Sequence, residues 1–191
     1  MSSNTPISLC KNLLVVAALL LGSQVALGQA LNSGTASVTL NATLGESLSV
    51  TATPNTVNFA LVSGGTALGS VPVVITTSWV LGVGRANVML DASLSSPAAA
   101  LTYLGPPVSN IPSSAVFGED LLGSPTTYTA FTQTNALGTA GAGLEIFNIP
   151  LTALNRAAIR ADILLLEINT TGLTLPAASY TGTMTLQAQA L

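Results

Sequence analysis

The sequence predicts an antiparallel all-β sandwich, and three observations carry that expectation. Ala36, Val38, Leu40, Ala42 and Leu44 alternate with Ser37, Thr39, Asn41 and Thr43. Near the other end, Tyr180, Gly182, Met184, Leu186, Ala188 and Ala190 alternate with Thr181, Thr183, Thr185, Gln187 and Gln189. Successive side chains of a strand point to opposite faces, so each run prepares one apolar and one polar face. Between them lie short apolar-alternating runs separated by Gly, Pro, Asn and Ser, the spacing expected of a sandwich.

The first element in order is an export signal, which decides what belongs to the folded part. Residues 1–12 are polar with one cation, Lys11. Leu13 to Leu21 is unbroken apolar sequence, followed by the small-residue stretch Val25-Ala26-Leu27-Gly28-Gln29-Ala30. These are the n-region, h-region and cleavage site of a secretory signal, cut after Gly28 or Ala30. Gly22-Ser23-Gln24 ends the apolar run short of the roughly 20 residues a membrane span needs. Cys10 precedes the run, whereas a lipoprotein cysteine would follow it, so the mature part contains no cysteine. Residues 31–191 form one domain held by burial alone, without disulfides.

The remaining elements follow as strands. Leu48, Val50 and Ala52 form one run before Pro54-Asn55, and Val57, Phe59 and Leu61 another before Ser63-Gly64-Gly65. A longer run extends from Val71 to Leu81, and a further one holds Ala86, Val88, Leu90 and Ala92. Leu101 to Leu104 is short, and residues 105–125, rich in Pro and Gly, read as a long connection with one short strand. Thr126 to Thr132 and Leu144 to Ile149 are expected as strands flanking the glycine-rich stretch 138–143. Leu151 to Ala158 is expected to make one or two helical turns after Pro150, and Arg160 to Asn169 is a strongly apolar strand. No internal repeat marks a solenoid.

Composition excludes several classes of function. The mature part has no His and no Lys, and three arginines (Arg85, Arg156, Arg160) face seven carboxylates, a net charge of −4. Nucleic acid is excluded as a partner because phosphate binding works through clustered Lys and Arg. Without His, Cys or Lys, the usual triads and Schiff-base chemistry have no residues to work with, so no enzyme is expected and no cofactor. No run after residue 30 is long enough for a helical span. A small membrane β-barrel is disfavoured by the scarcity of aromatics for girdles.

Candidate site residues are therefore few. Glu119 and Asp120 are the one adjacent acidic pair, candidates for a hydrolytic or calcium role and otherwise a solvated loop pair. Trp79 is in register with Val71, Val73 and Ile75 and is expected in the core; Tyr180 shares the apolar register of the last strand. Tyr103 and Tyr128, beside the loop-rich middle, are the candidates for ligand contact, with a glycan as ligand. Asn41-Ala42-Thr43 and Asn169-Thr170-Thr171 match the glycosylation acceptor pattern. Arg156, Arg160, Asp162 and Glu167 read as solvated charge around the last loop and strand.

The layout from Ser37 to Leu94 and the ending Leu175-Pro176-Ala177-Ala178-Ser179-Tyr180-Thr181-Gly182-Thr183-Met184-Thr185-Leu186 resemble secreted pilin-type domains of the spore-coat-protein-U and chaperone–usher kind. The resemblance implies an incomplete immunoglobulin-like sandwich whose missing strand is supplied by a neighbouring subunit's N-terminal extension. Carried over, residues 31–44 are the donor segment, with Ala36, Val38, Leu40, Ala42 and Leu44 as its inserted face. The cysteine pair common in those subunits is absent here. The expectation is a non-catalytic structural protein, periplasmic, at the cell surface or extracellular, which self-associates or binds another envelope protein. The alternative is a carbohydrate-binding or adhesive module.

Overall fold

The computed structural model describes residues 35–132 and 143–191. The expected signal, 1–30, and most of the glycine-rich stretch 138–143 lie outside them. The chain divides into two units, residues 1–42 and 43–191. In the first, the described residues 35–42 form no strand and are exposed, Val38 at 82 % and Leu40 at 89 %. The alternation predicts a strand there; alternation prepares a face, but a strand forms only where a neighbour supplies the hydrogen-bond ladder.

Residues 43–191 are all-β. The strands are β1 (Ser47–Thr53), β2 (Thr66–Leu68), β3 (Val73–Val80), β4 (Asn87–Leu94), β5 (Leu101–Tyr103) and β6 (Ser109–Ile111). They continue as β7 (Val116–Asp120), β8 (Thr129–Ala130), β9 (Leu144–Pro150), β10 (Ala157–Asn169) and β11 (Met184–Ala190). One sheet has the order β1-β3-β10-β7-β8, with β2 pairing the end of β10 beyond β3. A second has the order β11-β4-β9, and β5 and β6 form a separate hairpin. Every pairing is antiparallel.

The two larger sheets share one core, as in a sandwich. Ile75 of β3, Val88 and Leu90 of β4, Ile146 of β9, and Leu164 and Ile168 of β10 are each 0 % exposed. Fully burying such a side chain contributes about 1.5–3 kcal/mol. Trp79 also faces this core at 4 % exposure, as its register predicts. Its indole Nε1 donates to the Asn155 carbonyl at 2.8 Å, which satisfies the one polar atom that burial would otherwise strand.

The structure departs from the sequence reading in four further places. Val57, Phe59 and Leu61 pack on the core, but only a single bridge, Phe59 to Gly69, forms there. Residues 105–125 contain two strands, β6 and β7, rather than one. The run 126–132 pairs only at Thr129–Ala130. The expected helical turns at 151–158 are a turn followed directly by β10. There the Asn155 side chain accepts from the Thr152 backbone N–H at 2.6 Å and donates to the Pro150 carbonyl at 3.0 Å. That local capture of backbone groups competes with a helix.

Candidate functional site

The feature that stands out is an unclosed side of the sandwich. β1 pairs only with β3, and β11 pairs only with β4, so each is the last strand of its sheet. The two come within 8 Å of each other, Cα to Cα, yet no ladder joins them among the described residues. Their inward side chains are accordingly incompletely covered. Leu48 and Val50 of β1 and Met184, Leu186, Ala188 and Ala190 of β11 remain half-buried, while residues one strand further in are fully buried. A shallow cleft of about 420 Å³ opens between the start of β1 and the end of β11, with Leu48, Leu81, Ala188 and Ala190 in its wall.

These edges also lack the usual protection. Natural edge strands are kept from pairing with strangers by charge, proline, bulges or shortness. β1 reads SLSVTAT and β11 reads MTLQAQA, seven residues each, with no charge and no proline. A bulge is absent from the β11–β4 ladder, which runs in continuous register from Met184–Leu94 to Ala190–Val88.

Among the described residues, charge appears only at one end of this side. Glu46 accepts from Arg85 (Nη2 to Oε2, 3.1 Å) and from the Gly82 backbone N–H at 2.6 Å. Arg85 Nη1 in turn donates to the Ala190 carbonyl at 3.3 Å. This pins the start of β1 and the end of β11 to the β3–β4 turn. The hydrogen bond from Arg85, then that from Gly82, lowers the Glu46 pKa below the ordinary glutamate value, and Glu46 raises that of Arg85.

The residues singled out from the sequence fall in different places. Ala36, Val38, Leu40, Ala42 and Leu44 all lie exposed outside any strand. Tyr103, on β5, packs its ring on Tyr180 with centroids 6.1 Å apart. Tyr180 is half-buried, and its hydroxyl donates to the Pro176 carbonyl at 3.0 Å and lies 3.2 Å from Ser109 Oγ. Tyr128 is also half-buried, and burial, then Glu119 and Glu167, raises its pKa.

Glu119 and Asp120 are not the solvated loop pair that adjacency predicts. They end β7, where neighbours point to opposite faces, so Asp120 is 0 % exposed and Glu119 lies on the outer face. The two carboxylates therefore have no common site. Asp120 Oδ1 accepts from the Leu122 and Ile163 backbone N–H groups at 2.9 and 3.2 Å, and Oδ2 has no hydrogen-bond partner. Burial, and secondarily the nearby Asp162 carboxylate, raises the Asp120 pKa, while its two N–H donors oppose the rise. Asp162, also 0 % exposed, is held by the Arg160 guanidinium, whose carbon sits 4.7 Å above the Phe147 ring. Arg160 and Asp162 are thus a core-side brace rather than solvated charge.

Composition and alternation do not locate the unclosed side, because which strands end a sheet depends on non-local pairing; only the resemblance implied an incomplete sandwich. The one local signal was the absence of charge from both terminal strands. Comparison with protein-family models, with curated proteins and with solved structures finds no match to this chain. Among the described residues, no helix is long and apolar enough to cross a membrane.

Proposed function

We propose that this chain is a secreted, non-catalytic structural subunit of the cell surface or envelope, fimbrial or coat-like, that assembles by β-strand addition. In this reading residues 36–44 of one copy pair along the free edge of β11 in another. Ala36, Val38, Leu40, Ala42 and Leu44 then complete the cover over Leu48, Val50, Leu186 and Ala188. The observation that carries the proposal is the pair of charge-free terminal strands, β1 and β11, flanking an incompletely covered core. Nine residues of extended chain span roughly 30 Å, enough to run the length of seven-residue β11.

An immunoglobulin-like sandwich is part of this proposal. Its support is the sheet pair itself and the Tyr180 hydroxyl, which bonds back to Pro176 just before β11. Such a tyrosine corner precedes one strand of immunoglobulin-type sandwiches. A glycan-binding module with Tyr103 and Tyr128 as contacts has less support, since Tyr103 is engaged with Tyr180 and Tyr128 is half-buried.

The test is the variant carrying both Val38→Asp and Leu40→Asp, compared with the parent by size-exclusion chromatography. The expected result is that the parent forms multimers and the variant runs as a folded monomer. Multimers of equal size in both would refute insertion of this segment.

A further inference from the structure

A second feature lies on the outer face of the β11-β4-β9 sheet, away from the core and from the proposed assembly edge of β11. Pairing register puts three oxygen-bearing residues in one row across the three strands: Gln187 on β11, Asp91 on β4 and Glu145 on β9. Asp91 follows inward Leu90, and Glu145 follows inward Leu144, so both carboxylates face outward. A bulge creates the match. The β4–β9 register shifts between Leu90 and Asp91, leaving Ile146 unpaired and setting Glu145 directly opposite Asp91. Bulges commonly re-aim side chains in this way at functional positions.

Two like charges directly opposite each other on neighbouring strands destabilise a sheet, with Cβ atoms typically about 5 Å apart. Here the repulsion is compounded by burial. Asp91 is only 5 % exposed, and its carboxylate accepts no hydrogen bond from any described residue. No arginine pairs with it either: Arg85 binds Glu46 and Arg160 binds Asp162, while Arg156 donates to the Gly82 and Arg85 carbonyls. Two residues along β11, opposite Met89, Gln189 presents a buried side-chain oxygen, Oε1, that has no partner. Glu145 itself receives only a long 3.4 Å contact from Asn148 Nδ2. A buried, unpartnered carboxylate facing a second carboxylate is an arrangement that a cation resolves.

We propose that Asp91 and Glu145, with the Gln187 amide oxygen, form a divalent-cation site on this face, suited to calcium. Calcium takes six to eight oxygen ligands from carboxylates, amide carbonyls and water in adaptable geometry, whereas magnesium demands a strict octahedron. No group of three or more carboxylate, His or Cys side chains gathers among the described residues, so amide oxygen and water complete the shell. Two charged ligands place the affinity in the weak range of extracellular modules, with a Kd of about 0.1–1 mM. Bound there, the ion ties β4 to β9 across the bulge. The proposal does not depend on strand-addition assembly.

Thermal unfolding of the full chain tests it, after EDTA treatment and in buffers of matched ionic strength containing calcium, magnesium or neither. Calcium is expected to raise the midpoint dose-dependently, by about 4 °C at ten times its Kd for a domain of this size. Magnesium is expected to do less. D91N and E145Q are each expected to lose the calcium increment, so if one fails to fold the other decides. An unchanged parent midpoint in about 10 mM calcium, well above the expected Kd, would overturn the site. So would an undiminished increment in both folded variants.

Discussion

Replacing Asp91 with asparagine should stabilise the protein at neutral pH when calcium is absent. Burial first, and then the facing Glu145 carboxylate, pushes the Asp91 pKa from 3.8 to about 6. Among the described residues, Glu145 is the one charged group facing it; β11 contributes Gln187, and β4 itself contributes Met89 and Ser93. Below about pH 4 the carboxyl is protonated in both folded and unfolded chains and costs nothing. Between pH 4 and 6 the unfolded chain ionises while the folded one resists, so stability falls as pH rises. Above pH 6 the penalty is constant. At about 1.4 kcal/mol for each pH unit it amounts to at most about 3 kcal/mol. D91N carries no such penalty. Urea unfolding in EDTA at pH 4 and pH 7.5 should show the variant gaining about 1.5–3 kcal/mol on the parent between those two values. An equal pH dependence in parent and variant would refute the claim that Asp91 is held as a buried, unpartnered acid.

Asp120 obeys the same sign. Its raised pKa means that the parent loses stability as pH climbs above the ordinary aspartate value. D120N should therefore flatten the pH–stability curve further, and a steeper curve in the variant would contradict this. Gly123 sits against this group: a Cβ there would overlap Asp120 Oδ2 and lie 2.8 Å from the Ile146 carbonyl. Gly123→Ala should cost about 1–3 kcal/mol in denaturant unfolding, since a backbone atom must move; an unchanged midpoint would show that the site is looser than described. Val38→Asp with Leu40→Asp should leave the unfolding midpoint of the monomeric form unchanged, because both side chains are exposed. A lowered monomer midpoint would mean that these residues pack within their own chain.

What was legible in the sequence was what depends on local alternation. β3 and β11 fall within alternating runs, and β1, β4, β9 and β10 overlap theirs, although β10 begins at Ala157, where helical turns are expected. Trp79 was placed in the core by register alone, because one face of β3 carries Val73, Ile75 and Trp79 in step. Short strands were harder. β2 has three residues and exists because Ala67 pairs with Ile168, a hundred positions away. β7 was hidden by the prolines and glycines around it, and with it the fact that Glu119 and Asp120 look to opposite faces. Residues 36–44 show the converse: a strong pattern with no strand, since pattern supplies a face but not a partner. The Gln187–Asp91–Glu145 row was invisible for another reason. Asp91 occupied an ordinary polar position in an alternating run, and only the bulge at Ile146 sets Glu145 across from it.

The most direct measurement of the central claim is an unboiled SDS gel of surface extracts from the native host, blotted for this protein. Strand-exchanged polymers gain a full backbone ladder at every junction and resist detergent until heated. Strand addition predicts a ladder of multimers that collapses to a single band on boiling. A single monomer band both before and after boiling would contradict it.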